Sequence, residues 1–293
     1  MGEKTHLKSI VICAMILSLS SAYAFAGTWT SIDAPGATET YPQGIDGRNI
    51  SGSYYDTSGV SHGFLYNGST WTILNRPGAT NTWACGIDGS NIVGYYRDAS
   101  SEQGFLYNGS TWTTLSKSGT YKAVPYDIDG SNIVGYYWAI NSNYPQGFLY
   151  NGSTWTAINK PGATYTIPYG ISGSSIVGFY ADGFGPHSFT YNGSTWTTLQ
   201  SGKYAYGIDG INIVGWYGSE SGPIYSFLYN GSTWTTFNKP GATNTWAYGI
   251  DGIRIVGSYY DASENSHGFL YTVPEPATIF LLGLGFLGLR KRK

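Results

Sequence analysis

The chain has 293 residues, of which 42 are glycine and 27 tyrosine, and only 11% are charged; that mixture predicts many short strands joined by tight turns and argues against a disordered chain. The formal charge of −2 hides a division, because six of the fifteen basic residues, Lys4, Lys8, Arg290, Lys291, Arg292 and Lys293, lie in the two terminal segments. Residues 27–276 hold nine basic and sixteen acidic side chains, a balance of −7, which excludes the basic footprint of a nucleic-acid binder or of a protein held to anionic lipid.

At the N-terminus, Lys4 and Lys8 precede an apolar run from Ile10 to Leu19, then Ser20, Ser21 and Ala24-Phe25-Ala26, with small residues at alternate positions. This order is that of a secretory signal over residues 1–26, cut between Ala26 and Gly27. The apolar run is shorter than the ~20 residues of a bilayer-spanning helix, which argues against a retained anchor. Cys13 falls inside the leader, so the mature body keeps only Cys85 and no intrachain disulfide. Cys85 takes a position that tyrosine holds in four other repeats and reads as a small buried filler.

Residues 27–272 are one unit repeated. NGSTWT starts at Asn67, Asn108, Asn151, Asn192 and Asn230, and the segment GID or a variant starts at Gly44, Gly86, Asp127, Gly170, Gly207 and Gly249. A third landmark, FLY or FTY, starts at Phe64, Phe105, Phe148, Phe189, Phe227 and Phe269. Each unit reads as four short strands, typified by AYGI, NIVGYY, GFLY and TWTTL. Asn-Gly between two apolar runs predicts a two-residue type I′ hairpin, which sets Tyr66 opposite Ser69 and Phe64 opposite Trp71. Four strands in a period of about 42 residues predict a β-propeller blade.

The ends of the body decide between a ring and an open stack. The last copy stops at Phe269-Leu270-Tyr271 without its Trp strand, while the mature chain begins with Gly27-Thr28-Trp29-Thr30, a strand without partners. Joined, they complete a sixth blade with Trp29 opposite Phe269. The expected fold is therefore an all-β, six-bladed propeller closed by its N-terminal strand, with the small-residue strand at the axis and the Trp strand outermost. An open solenoid would need polar capping repeats, and none is visible. The sequence GI(D/N), then IVG-x-Y, then His-x-Phe, as in His62-Gly63-Phe64, His187-Ser188-Phe189 and His267-Gly268-Phe269, resembles the HAF family of extracellular bacterial repeats, with Gly or Ser in place of its Ala. That resemblance implies an extracellular propeller-like protein.

Chemistry is sparse in the repeats. His62, His187 and His267 share one repeat position on different blades, which reads as packing at a loop-to-strand junction; no metal site, catalytic residue or cofactor is nominated. Asp46, Asp88, Asp129, Asp209 and Asp251 fall in the turn after the first strand, and Asp56, Asp98, Asp182 and Asp261 after the second; both sets are expected to bond their own nearby backbone. NGS fits a glycosylation sequon five times, but the hairpin already requires those residues. Tyr96, Tyr137 and Trp246 suit either blade packing or stacking on a sugar.

At the C-terminus, residues 273–293, Val273-Pro274-Glu275-Pro276 is followed by an apolar stretch from Ala277 to Leu289 and by Arg290-Lys291-Arg292-Lys293. Motif, apolar helix and basic cluster in that order resemble the PEP-CTERM sorting signal, which implies export through the secretion machinery and an exosortase-type sorting enzyme as partner. Thirteen residues at ~1.5 Å each give a helix of about 20 Å, short of a ~30 Å hydrocarbon core, which suits a transient anchor with the C-terminus in the cytoplasm. The expected function is a non-enzymatic binding or structural module at the cell surface or in the extracellular matrix, with extracellular polysaccharide as candidate ligand. The alternative, a propeller-type polysaccharide hydrolase or lyase, predicts a blade whose loops gather acids with a His or Tyr, and no loop does so.

Overall fold

Strands form in this chain because apolar and polar residues alternate between fixed glycine turns, and the antiparallel pairing follows from the short connections. The computed structural model describes residues 27–99, 101–200, 202–218 and 222–274. Ala24 and Ala26 of the leader, and Glu275, Pro276 and Arg290–Lys293 of the tail, lie outside the described residues. Among the described residues there are twenty-four strands in six four-stranded sheets and no helix.

The first blade is β2 (Glu39–Asp46), β3 (Asn49–Tyr55), β4 (Ser61–Tyr66) and β5 (Trp71–Leu74), paired in that order. Four further blades repeat it. The sixth is β22 (Asn244–Asp251), β23 (Arg254–Tyr260) and β24 (Ser266–Thr272), with β1 (Thr28–Ile32) bonded to the free side of β24. The N-terminal strand thus closes a six-bladed propeller. Gly268 N–H donates to Asp33 Oδ1 at 3.2 Å, and Ser31 Oγ lies 3.0 Å from the Tyr259 hydroxyl.

Thr30–Leu270 pack as one compact unit, and the described residues of the two ends belong to a second. In that second unit Trp29 lies on Tyr271, with ring centroids 4.4 Å apart.

The hairpin register differs from the one expected. Tyr66 pairs with Trp71 and Phe64 with Ile73, and likewise Tyr107 with Trp112 and Tyr150 with Trp155. Asn67 Oδ1 accepts the N–H groups of Ser69 (3.1 Å) and Thr70 (2.8 Å), and Asn67 N–H donates to Thr70 O, so the loop has four residues. Only Gly68 there has positive φ, 94°, whereas a type I′ turn needs two such residues. The shift is by two positions, so every side chain keeps its face. Phe64 still meets Trp71, now on the diagonal, edge to face at 4.9 Å.

Each blade centres on one phenyl ring: Phe64, Phe105, Phe148, Phe189, Phe227 and Phe269 are all at most 1% exposed. Burial of such a ring contributes roughly 1.5–3 kcal/mol. Outside it, Trp71, Trp112, Trp155, Trp196 and Trp234 lie on Tyr66, Tyr107, Tyr150, Tyr191 and Tyr229.

The turn aspartates bond the neighbouring blade, not their own backbone. Gly89 N–H donates to Asp46 (2.7 Å), Gly130 to Asp88 (2.7 Å), Gly173 to Asp129, Gly210 to Ser172 Oγ (3.1 Å), Gly252 to Asp209 (2.8 Å) and Gly47 to Asp251 (2.8 Å). Six bonds make a closed circuit. The outer set behaves as expected: Asp56 accepts from Ser58 and Val60, Asp98 from Ser101, Asp182 from Phe184, and Asp261 from Ser263 and Asn265.

Candidate functional site

Every first strand carries a bulge where its register against the second strand slips, at Pro42/Gly44, Ala84/Ile87, Pro125/Asp127, Pro168/Gly170, Ala205/Gly207 and Ala247/Gly249. A bulge frees one residue from the ladder and turns its side chain aside. The freed positions include Gln43, Cys85, Tyr126, Tyr169, Tyr206 and Tyr248. All but Cys85 line a shaft of about 230 Å³, and Tyr95 from the second strand completes its wall. Below it the shaft narrows to about 40 Å³ among Gly44, Gly86, Gly207 and Gly249. A Cβ at Gly44 would lie 2.5 Å from the Cys85 carbonyl, so glycine there is a condition of blade-to-blade approach.

Four of the freed residues form a continuous wall: Tyr126 to Tyr169 at 4.5 Å, Tyr169 to Tyr206 at 4.1 Å and Tyr206 to Tyr248 at 5.5 Å. Burial raises their hydroxyl pKa values, that of Tyr169 to about 12, so the wall presents neutral phenols. The wall is interrupted at blades 1 and 2, where Gln43 and Cys85 replace tyrosine.

Blade 1 departs from the repeat elsewhere as well. Ser51 stands where the other second strands have valine, and its hydroxyl donates to the Cys85 carbonyl at 2.5 Å. Ser53 stands where blades 2 to 5 carry Tyr95, Tyr136, Phe179 and Trp216. These smaller side chains leave a cleft of about 440 Å³ lined by Thr38, Glu39, Tyr41, Gln43, Ser53, Tyr55, Gly59, Trp83 and Tyr95. Gln43 and Tyr95 line both cleft and shaft, so the two are adjacent.

The cleft walls are aromatic and ordered by contacts among themselves. Trp83 stacks on Tyr95 at 4.8 Å, and Tyr41 meets Tyr55 edge to face at 6.2 Å. Trp83 Nε1–H donates to the Tyr55 hydroxyl at 3.3 Å, and the Tyr41 hydroxyl donates to Glu39 Oε2 at 2.5 Å. Burial, followed by the Glu39 carboxylate, pushes the Tyr41 pKa far up, so it remains a donor.

The residues singled out by sequence fall elsewhere. His62 bonds Asp56 and Asn75 (3.0 Å each), His187 bonds Asp182 (3.2 Å) and His267 bonds Asp33 (3.1 Å), each stacked on its blade's tyrosine. They do not converge. Among the described residues no group of three His, Cys, Asp or Glu is placed to hold a metal ion. Tyr96 and Tyr137 are buried under Arg76 and Lys117, while Trp246 packs edge to face on Tyr260. Cys85 is 1% exposed, and burial pushes its thiol pKa up, an inert filler. Sequence reasoning missed Glu39, Gln43, Ser53 and Asp127, although comparing the six copies position by position marks each as a departure.

Comparison with known proteins bears on the two parts separately. Residues 272–293 match the family described as the PEP-CTERM protein-sorting motif. The chain ends in a protein-sorting motif. The PEP-CTERM motif starts at the last residue of β24, where the propeller ends. No curated protein sequence matches the chain. The body is similar in fold to the β-propeller domain of the Trilobed protease from Pyrococcus furiosus, at 13% identity and TM-score 0.52 over 80% of this chain and 79% of that one. It is also similar to TolB from Acinetobacter baumannii, at 13% identity and TM-score 0.55 over 79% of this chain and 66% of that one. An arginine-to-alanine triple variant of AofleA from Arthrobotrys oligospora aligns at 12% identity and TM-score 0.52, over 86% and 88%. At such identities the likeness is one of fold.

Proposed function

We propose that the chain is exported, loses its leader after Ala26, is handled at its PEP-CTERM segment by an exosortase-type sorting enzyme, and displays its propeller at the cell surface or in the extracellular matrix as a non-enzymatic module binding extracellular polysaccharide. The sorting motif at residues 272–293 and the resemblance of the repeat to HAF proteins support the export half of this reading.

One observation carries the binding half. Blade 1 departs from the repeat of its neighbours, and the cleft beside it joins aromatic faces to polar groups. A pyranose presents C–H surface to an aromatic face and hydroxyls to donors and acceptors. Trp83, Tyr95, Tyr41 and Tyr55 supply the first, and Ser53, Gln43 and the phenolic hydroxyls the second. The volume of about 440 Å³ lies within the roughly 300–1,000 Å³ of ligand pockets. Glycosidic cleavage by the commonest route takes two carboxylates flanking the bond. The cleft lining brings one, Glu39, already bonded to Tyr41.

The test pairs sorting with binding. Fractionation with C-terminal mass spectrometry is expected to find the chain at the surface with its leader gone. Pull-down with exopolysaccharide is expected to recover the protein, and Trp83→Ala to lower recovery at least tenfold. Recovery unaffected by Trp83→Ala, or turnover of the polymer, would overturn the reading.

A further inference from the structure

The linings of cleft and shaft contain carboxylic acids and no lysine or arginine. Glu39 is the acidic residue lining the cleft, Asp127 the acidic residue at the narrow base of the shaft, and the 230 Å³ of the shaft is lined by tyrosines and Gln43. Cations do occur nearby. Arg97 lies over Trp83 at 5.7 Å, and Lys122 holds on blade 3 the strand position that Glu39 holds on blade 1. Both are engaged by Glu102: Arg97 donates to Oε1, through Nε at 3.1 Å and through Nη2, and Lys122 pairs with Oε2. Neither lines the cleft.

Glu39 therefore has a hydroxyl as its bonded partner, and that partner sets the carboxylate's orientation. Tyr41 donates to Oε2 and is itself held edge to face by Tyr55. Electron-rich rings around a carboxylate favour a cation, because the face of Trp or Tyr attracts positive charge and does so more strongly once water is displaced. A ligand carboxylate would instead meet Glu39 as a like charge and be repelled.

We propose that the cleft at blades 1 and 2 selects a saccharide bearing a free ammonium group, a hexosamine unit without its N-acetyl cap, with Glu39 as the counter-charge and Trp83 and Tyr95 as the wall against which its ring packs. This rests on the saccharide-binding reading above and names the sugar class of that same site. An ammonium at Glu39 gains a charge-assisted hydrogen bond that a neutral hydroxyl or acetamide does not make. Uronic acids are excluded by the same carboxylate. Blade 6 is the natural contrast, since Trp246 and Ser258 match Tyr41 and Ser53 in position, but Asn244 replaces the acid.

The experiment titrates the full chain with glucosamine tetramer, N-acetylglucosamine tetramer and glucuronate, followed by calorimetry at a pH where the amine is protonated. The glucosamine tetramer is expected to bind at least tenfold more tightly than the acetylated one, and glucuronate not to bind. Glu39→Gln is expected to bring the affinities of the two tetramers within about twofold of each other. Raising salt on the unaltered protein gives a second readout, weakening the glucosamine tetramer alone. Equal affinity for the two tetramers, with both lost in Trp83→Ala, overturns the amine selectivity and leaves saccharide binding standing. Binding of none overturns both.

Discussion

The carboxylate of Asp251 accepts the backbone N–H of Gly47 at 2.8 Å, joining the last blade to the first across 204 positions of sequence. Five equivalent bonds run round the ring, from Asp46 to Gly89 through Asp209 to Gly252. Each is a charge-assisted or hydroxyl bond near solvent, so each contributes about 1 kcal/mol. The sixth also holds the ring shut. We expect Asp251→Ala to lower stability by about 1–2 kcal/mol and Asp46→Ala by about 1, measured from urea midpoints. Asp251→Asn, which keeps an acceptor, should recover at least half of the loss. Equal midpoints for Asp251→Ala and the parent would remove this circuit from the forces that close the ring.

Gln43 lines both cleft and shaft, standing where Tyr126, Tyr169, Tyr206 and Tyr248 form the wall. Gln43→Tyr extends that wall with a ring the neighbouring blades already accommodate. We expect the fold to survive with a change within about 1–3 kcal/mol for the added volume. Binding of the saccharide probes should fall at least tenfold in the same calorimetric titration. Undiminished affinity in a folded Gln43→Tyr protein would place the ligand elsewhere.

Phe148 is fully buried and lies 4.7 Å from Trp155 and 6.4 Å from Tyr137. Phe148→Ala leaves a void that its rigid neighbours do not fill, and about 3–5 kcal/mol is the usual loss for such a truncation. Phe148→Leu should lose less than half as much. Denaturant unfolding of the two variants checks the order, and an order reversed would mean that the blade recentres on another side chain.

Blade number, strand order and ring closure were legible in the sequence because each rests on repetition, and six copies average away local ambiguity. Turn type was not. Asn67-Gly68 reads as a two-residue hairpin until Asn67 is seen to spend its side chain on the N–H groups of Ser69 and Thr70, a choice that depends on the whole loop. The turn aspartates were misplaced for a related reason: Asp88 bonds Gly130 on the next blade, and local turn chemistry holds no information about a neighbour 42 positions away. The candidate site was written in the sequence but masked by the repetition that revealed the fold. Consensus reading treats Gln43, Ser53 and Asp127 as noise, whereas in a symmetric ring such departures are what set one blade apart from the others.

Asp127 occupies the axial slot that Gly44, Gly86, Gly170, Gly207 and Gly249 hold in the other blades, with its Cα 2.6 Å from where a Cβ on Gly86 would lie. Burial at the narrow base of the shaft pushes its carboxyl pKa up to about 7, against the Ile171 and Ile128 N–H groups that favour the anion. A carboxyl that holds its proton more tightly folded than unfolded stabilises the fold at low pH and loses that contribution as pH rises from about 4 to about 7. Three units correspond to a ceiling of about 4 kcal/mol, reduced by water reaching the shaft. Asp127→Asn keeps an acceptor for Ile171 and removes the titration. We expect the stability of Asp127→Asn relative to the parent to rise across that window and to level off above it, read from urea midpoints at half-unit steps. A difference that does not vary with pH would mean that Asp127 is solvated in the folded ring as it is in the unfolded chain.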